Sequence, residues 1–148
     1  MISKITNYIV NQFQQDELVH TISLEAIDVK KENIYPLVAL KYNGEDENED
    51  GSLLYHDYTI HILQQRDSNR KMKPSKLLEE TNWIDNLNEC SSIANNFINY
   101  IRRLEINENI NVVTVSKKEP LSGFGGANLD GFVFDITFSM PNTGYCGT

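Results

Sequence analysis

The sequence predicts an α+β fold, a mostly antiparallel sheet packed against one long helix, with a short N-terminal helix. Three observations carry this expectation. Residues 83–104 place Ile84, Leu87, Ala94, Phe97, Ile101 and Leu104 at helical spacing, with Asp85, Asn88, Glu89 and Asn95 as polar surface. Residues 130–140 alternate, with Phe132, Phe134, Ile136, Phe138 and Met140 on one side. Shorter extended runs are joined by polar or Gly- and Pro-containing links, which suits antiparallel neighbours with helices covering one face.

Taken in order, Ile2, Ile5, Ile9 and Phe13 recur at helical intervals and predict a first helix docked by a narrow apolar stripe. Ile22, Leu24 and Ala26 alternate with Ser23 and Glu25 as a half-buried strand does, and the phase change at Ile27 and Val29 marks a bulge or strand end near Ala26. Pro36 precedes the extended run LVALKY, where it removes no amide from the middle of a ladder. The run NGEDENEDGS holds five acidic residues between Glu45 and Asp50, bounded by Gly44 and Gly51, and reads as an exposed hairpin loop or mobile connection.

Tyr58, Ile60 and Ile62 then alternate with Thr59, His61 and Leu63, predicting a strand that starts at Leu53 and changes register near Asp57. DSNRKMKPSK supplies a polar link. At about 1.5 Å per residue the long helix spans roughly 33 Å, enough to brace a sheet. Asn82 is its candidate N-cap, Asp85 lies in its first turn, and Arg102 and Arg103 suit its C-terminal dipole. INENINVVTVSKKE returns to an extended pattern, and Pro120 opens a glycine-rich loop before the final strand.

The chain of 148 residues fits one domain, 1–148, that buries roughly 68% of its extended surface. Its net charge of -8 repels nucleic acid and acidic lipid at long range, so no direct sequence-specific nucleic-acid binding and no membrane partner are expected. Arg66, Arg70, Lys71, Lys73 and Lys76 come nearest to a basic patch and read as a solvated loop. The opening residues lack the pattern of a secretory signal and no stretch has the length of a spanning helix, which favours folding in a cytoplasm. Cys90 and Cys146 offer neither a disulfide framework nor closely spaced metal ligands, and two reduced thiols are the simpler case.

A search for chemistry assigns no catalytic, cofactor-binding or metal residues. SGFGGANLDG lacks both the phosphate-loop pattern and a following helix, so Gly123, Gly125, Gly126 and Gly131 read as a tight or mobile connection. His20, His56 and His61 form no zinc pattern, and the odd separation of His56 and His61 sends them to opposite faces of a strand unless a bulge intervenes. The acidic run lacks the ordered ligand positions of a calcium loop. Asp16 with Glu17, and Glu79 with Glu80, read as ordinary surface pairs, and Trp83 suits either an interface anchor or helix-to-sheet packing.

YPLVALKYNGEDENED, YTIHILQQ, the helix WIDNLNECSSIANNFINYIRRL, NVVTVSKKEP and LDGFVFDITFSMPN together resemble a small tail-terminator, tail-completion or head-to-tail connector protein of a tailed bacteriophage. The resemblance covers the chain from near His20 to Pro141 and lies in element order and texture. It implies a structural virion protein and no enzyme: an α+β subunit that self-associates into a closed ring, ends tube polymerisation and contacts tail-tube and connector proteins at the virion tail or head-to-tail junction. It carries no catalytic residues or cofactors to transfer. By position it makes 44–51 and 120–130 candidate assembly loops and 142–148 a candidate C-terminal arm. The alternatives are a small cytoplasmic enzyme with a site assembled from distant residues, or a non-viral accessory binding domain.

Overall fold

Two helices lie on one face of a six-stranded sheet in a computed structural model, which describes residues 2–24, 34–66, 83–103, 110–124 and 128–142. The elements are α1 (Ile2–Gln14), β1 (Thr21–Ser23), β2 (Leu37–Glu47), β3 (Leu53–Gln65), α2 (Trp83–Arg103), β4 (Asn111–Val115), β5 (Glu119–Phe124) and β6 (Leu129–Pro141). The sheet runs β1-β2-β3-β6-β4, with β5 also on β6. Only β1 with β2 is parallel among the pairs described; every other pair is antiparallel. The expected fold class is therefore the observed one.

The sheet is built around β3 and β6, which pair without interruption from Leu53 opposite Pro141 to Gln65 opposite Leu129. Period-two alternation places Leu54, His56, Tyr58, Ile60 and Ile62 of β3 on a single face, all buried. Phe134, Ile136, Phe138 and Met140 of β6 lie beside them as the sequence predicts, and Phe132 packs against the same core. Ile5, Ile9 and Phe13 of α1 and Cys90, Ile93, Ala94, Phe97, Ile98 and Ile101 of α2 close this core from above. Phe13 and Phe97 join the two helices by stacking with ring centroids 4.3 Å apart.

On the other face a smaller cluster of Leu37, Ala39, Leu63 and Leu129 packs with Tyr35, Leu121 and Phe124. The first residues of β2 are thus buried on both faces, which explains why LVAL is continuously apolar rather than alternating.

Several expectations are corrected. Ile2 begins the α1 stripe but is exposed. β1 ends at Ser23 and Leu24 is exposed, so the predicted alternation through Leu24 fails; Ala26, Ile27 and Val29 lie outside the described residues, as do Asn82 and Leu104. Ile84 is 55% exposed, and the buried side of the first turn of α2 is Asn86, which is about 200° around the helix from Ile84. Asn86 is drawn inward because its Nδ2 donates to the Gln65 carbonyl and to Asp130 Oδ2, both at 3.2 Å.

The predicted loop 120–130 is largely sheet. β4 and β5 follow one another along the same edge of β6, from Asn111 opposite Ser139 to Phe124 opposite Leu129. Ser116 N donates to the Asp135 carbonyl at 2.9 Å between them. Gly131 is not a loop residue: a Cβ there would stand 1.8 Å from the Ile62 carbonyl oxygen, so the close approach of β6 to β3 requires glycine.

Candidate functional site

The two ends of the β3–β6 pair differ in chemistry, and the residues that differ most sit at the ends of hairpins. At one end β2 turns into β3 through the acidic run. The stretch 44–51 is not a free loop: β2 continues to Glu47, and the turn itself is fixed by Leu53 N donating to Asn48 Oδ1 at 3.0 Å and Gly51 N donating to the Asn48 carbonyl at 3.0 Å. Asp50 Oδ1 accepts from Ser52 N at 2.9 Å, and hydrogen bonds from Ser52 hold the Asp50 carboxyl below its ordinary pKa.

Asn142, the first residue of the candidate C-terminal arm, is fastened to this turn. Its backbone N donates to the Ser52 carbonyl and its Nδ2 to the Gly51 carbonyl, both at 2.9 Å. Residues 143–148, including Tyr145 and Cys146, lie outside the described residues.

A register shift between Tyr42 and Gly44 interrupts the β2–β3 ladder, with Tyr42 opposite Tyr58 and Gly44 opposite Asp57. Asn43 is the extra residue of a bulge, and Gly44 has φ 129°. The register change expected in β3 near Asp57 does not occur: β3 keeps its phase, and the shift lies on β2. Past the bulge Glu45 is paired with His56, on the helix-facing side.

His56 is fully buried there. Tyr42 Oη and His56 Nδ1 are 2.9 Å apart, and the other ring nitrogen, Nε2, has no hydrogen-bond partner among the described residues. Glu45 Oε2 stands 3.8 Å from it. Burial lowers the His56 pKa, with the Glu45 charge acting in the opposite sense.

At the opposite end Arg66 and Asp130 form a two-pronged ion pair, Nη2 to Oδ1 at 2.7 Å and Nε to Oδ2 at 3.1 Å. Arg66 Nη2 also donates to Ser122 Oγ at 2.7 Å, and its backbone N donates to the Asn128 carbonyl at 2.8 Å. Asp130 is fully buried and Arg66 mostly so, which corrects the reading of Arg66 as part of a solvated basic loop. Arg70, Lys71, Lys73 and Lys76 lie outside the described residues, as do Glu79 and Glu80. The network joins β3, α2, β5 and β6 at one point.

The remaining singled-out residues do not converge. His61 is on the opposite face of β3 from His56, as odd spacing predicts, with its ring 5.5 Å from that of Phe124. Burial lowers its pKa, opposed by Asp135. His20 is exposed. Cys90 is buried in the core, and desolvation raises its thiol pKa to about 12, a setting that suppresses thiolate formation. Trp83 is 38% exposed at the start of α2.

Gly123 has φ 65° and permits the turn of β5 between Leu121 and Phe124, while Gly125 and Gly126 lie outside the described residues. Asp16 Oδ1 accepts from Leu18 N at 3.0 Å, and Asp16 and Glu17 rim a groove of about 500 Å³ between α1 and α2 that contains no Cys or His.

On the polar part of the outer sheet face, Asn43 Nδ2 donates to Thr59 Oγ1, which donates to Asp135 Oδ1, each at 2.6 Å. Thr137 Oγ1 donates to Asp57 Oδ1 at 2.6 Å. Among the described residues no group of three or more His, Cys, Asp or Glu is placed to hold a metal ion. Nor is any described helix long and apolar enough to cross a membrane.

Sequence reasoning missed Arg66–Asp130 and Glu45–His56. The first joins residues 64 apart with no local signal, and the second exists only because a bulge shifts the register. No protein-family model matches the sequence, and no curated protein matches it.

Proposed function

We propose that the chain is a structural subunit of a tailed-phage virion, forming a ring that terminates or completes the tail and connects it to neighbouring tail-tube and connector components. The observation that supports this reading is the placement of two chemically unlike hairpins at opposite ends of one sheet. The acidic β2–β3 hairpin, fastened by Asn142, lies where Leu53 meets Pro141; the β5–β6 hairpin, pinned by Arg66, lies where Gln65 meets Leu129. A subunit whose ends differ suits head-to-tail contact, in which one face meets a different face on the next copy and rotation closes the ring.

The sheet edge carrying β4 and β5 adds a further surface, with Val113 exposed at its bulge. Native mass spectrometry and particle imaging of the full chain, across concentrations and salt strengths and with tail-tube partners, test the proposal. Closed rings, alone or templated by a tube, are the expected result. A strictly monomeric chain under all of these conditions sinks it.

A further inference from the structure

A fully buried imidazole nitrogen without a hydrogen bond costs free energy, so its persistence calls for a physical reason. His56 Nε2 is that atom, and the Glu45 carboxylate faces it from 3.8 Å, beyond hydrogen-bond reach. The bulge at Asn43 creates this meeting, because without it Gly44 and not Glu45 would lie opposite His56. An imidazole that gives its single proton from Nδ1 to the Tyr42 oxygen turns a bare Nε2 lone pair toward the carboxylate. Two acceptors then face one another, and the stand-off follows. A proton added at Nε2 turns this repulsion into a charge-assisted hydrogen bond, for which the half-exposed Glu45 needs only a side-chain rotation.

We propose that His56 and Glu45 form a proton-operated clamp on the acidic hairpin: with the imidazole neutral Glu45 stands off, and when Nε2 takes a proton from solvent the carboxylate closes on it. The clamp draws one of the five acidic side chains inward and ties the hairpin end of β2 to β3 by a side-chain bond. Among the described residues its charged and titratable surroundings are Tyr42 and Glu45 from β2 and Asp57 and Tyr58 from β3. Opposite His56, β6 contributes the uncharged Phe138. Burial opposes the protonated ring more than Glu45 and Asp57 favour it, so the clamp closes at a pH below the ordinary histidine range. The device is independent of the assembly reading.

Nitrogen-15 NMR of the His56 ring in the full chain, followed from pH 8 downward (about 1.5 units above the ordinary histidine midpoint), tests it in the wild type, Glu45→Gln and Glu47→Gln. The expected result is an Nδ1–H tautomer in the neutral ring and a titration midpoint lowered by about one pH unit in Glu45→Gln. Glu47→Gln, which removes a neighbouring charge from the same hairpin, should move it much less. A midpoint that does not fall in Glu45→Gln overturns the proposal. So does an equal fall in Glu47→Gln, which would indicate the general field of the hairpin. Loss of the folded spectrum before His56 titrates also overturns it, because the clamp requires a folded chain that accommodates the protonated ring.

Discussion

Asp130 and Arg66 share one ion pair but stand in different surroundings, and this asymmetry predicts unequal costs of removing each partner. Asp130 is fully buried while the Arg66 side chain keeps 22% exposure. Arg66→Ala strands a carboxylate that cannot reach water, at a cost of about 3–5 kcal/mol. Asp130→Asn keeps a hydrogen-bond acceptor beside Arg66 and leaves a guanidinium that can turn toward solvent, so its cost should be smaller. Urea unfolding of the two variants checks the order, and equal losses would refute the burial argument.

The buried histidines make a second prediction at this scale. Burial lowers the pKa of both His56 and His61, so the unfolded chain binds more protons than the folded one once pH falls below the ordinary histidine value of 6.5. Stability from these two groups is complete above that value and is lost as pH falls through their folded pKa values. Thermal unfolding between about pH 7.5 and 5.5, on either side of the ordinary histidine midpoint, should show a falling midpoint. Replacing both histidines with Gln should flatten that dependence.

The helices contribute through faces rather than single contacts, and Phe97 of α2 is where the two faces meet. It is buried, lies in the main core and stacks on Phe13 of α1. Phe97→Ala should cost about 3–5 kcal/mol through lost burial and the cavity left behind. The double variant with Phe13→Ala should cost less than the sum of the singles by about 0.5–1.5 kcal/mol, the coupling typical of an aromatic pair. Strict additivity would place the rings in independent surroundings.

Periodicity made most elements legible in the sequence: α1, β3, α2 and β6 each bury a repeating face over ten or more residues, whereas β2 was legible only as the apolar run LVALKY and continues to Glu47 through residues that read as a loop. β5 was illegible because Pro120 and Gly123 are loop residues by composition. An edge strand tolerates them, since a proline there leaves unpaired only the side of the ladder that faces away from the sheet. The N-terminal turn of α2 was misjudged for a related reason. Its buried position is filled by Asn86, whose partners Gln65 and Asp130 come from distant strands, and apolar spacing cannot report a hydrogen bond across the fold.

For the whole molecule, the question is which surfaces are spare once the fold is satisfied, and Asn142 draws that line at the C-terminal side. Its two hydrogen bonds to Gly51 and Ser52 hold the end of β6 to the acidic turn, so removing it disturbs a hairpin as well as shortening the chain. The informative truncation therefore ends after Asn142. If the terminal segment is an arm, removing 143–148 leaves circular dichroism unchanged and the unfolding free energy within about 0.5 kcal/mol of the full chain, the usual range for a change that touches no buried contact. On the ring proposal the same truncation weakens self-association or partner binding, because Tyr145 is an aromatic of the kind that anchors interfaces. Truncation at Asn142 itself should add a loss of hydrogen-exchange protection at Leu53 and Gly51, whose amides close the turn. Normal assembly by the shorter chain would remove the terminal segment from the interface and leave the two hairpins to carry it. Loss of the fold on removing 143–148 alone would instead make that segment part of the body, and the boundary drawn at Asn142 would be wrong.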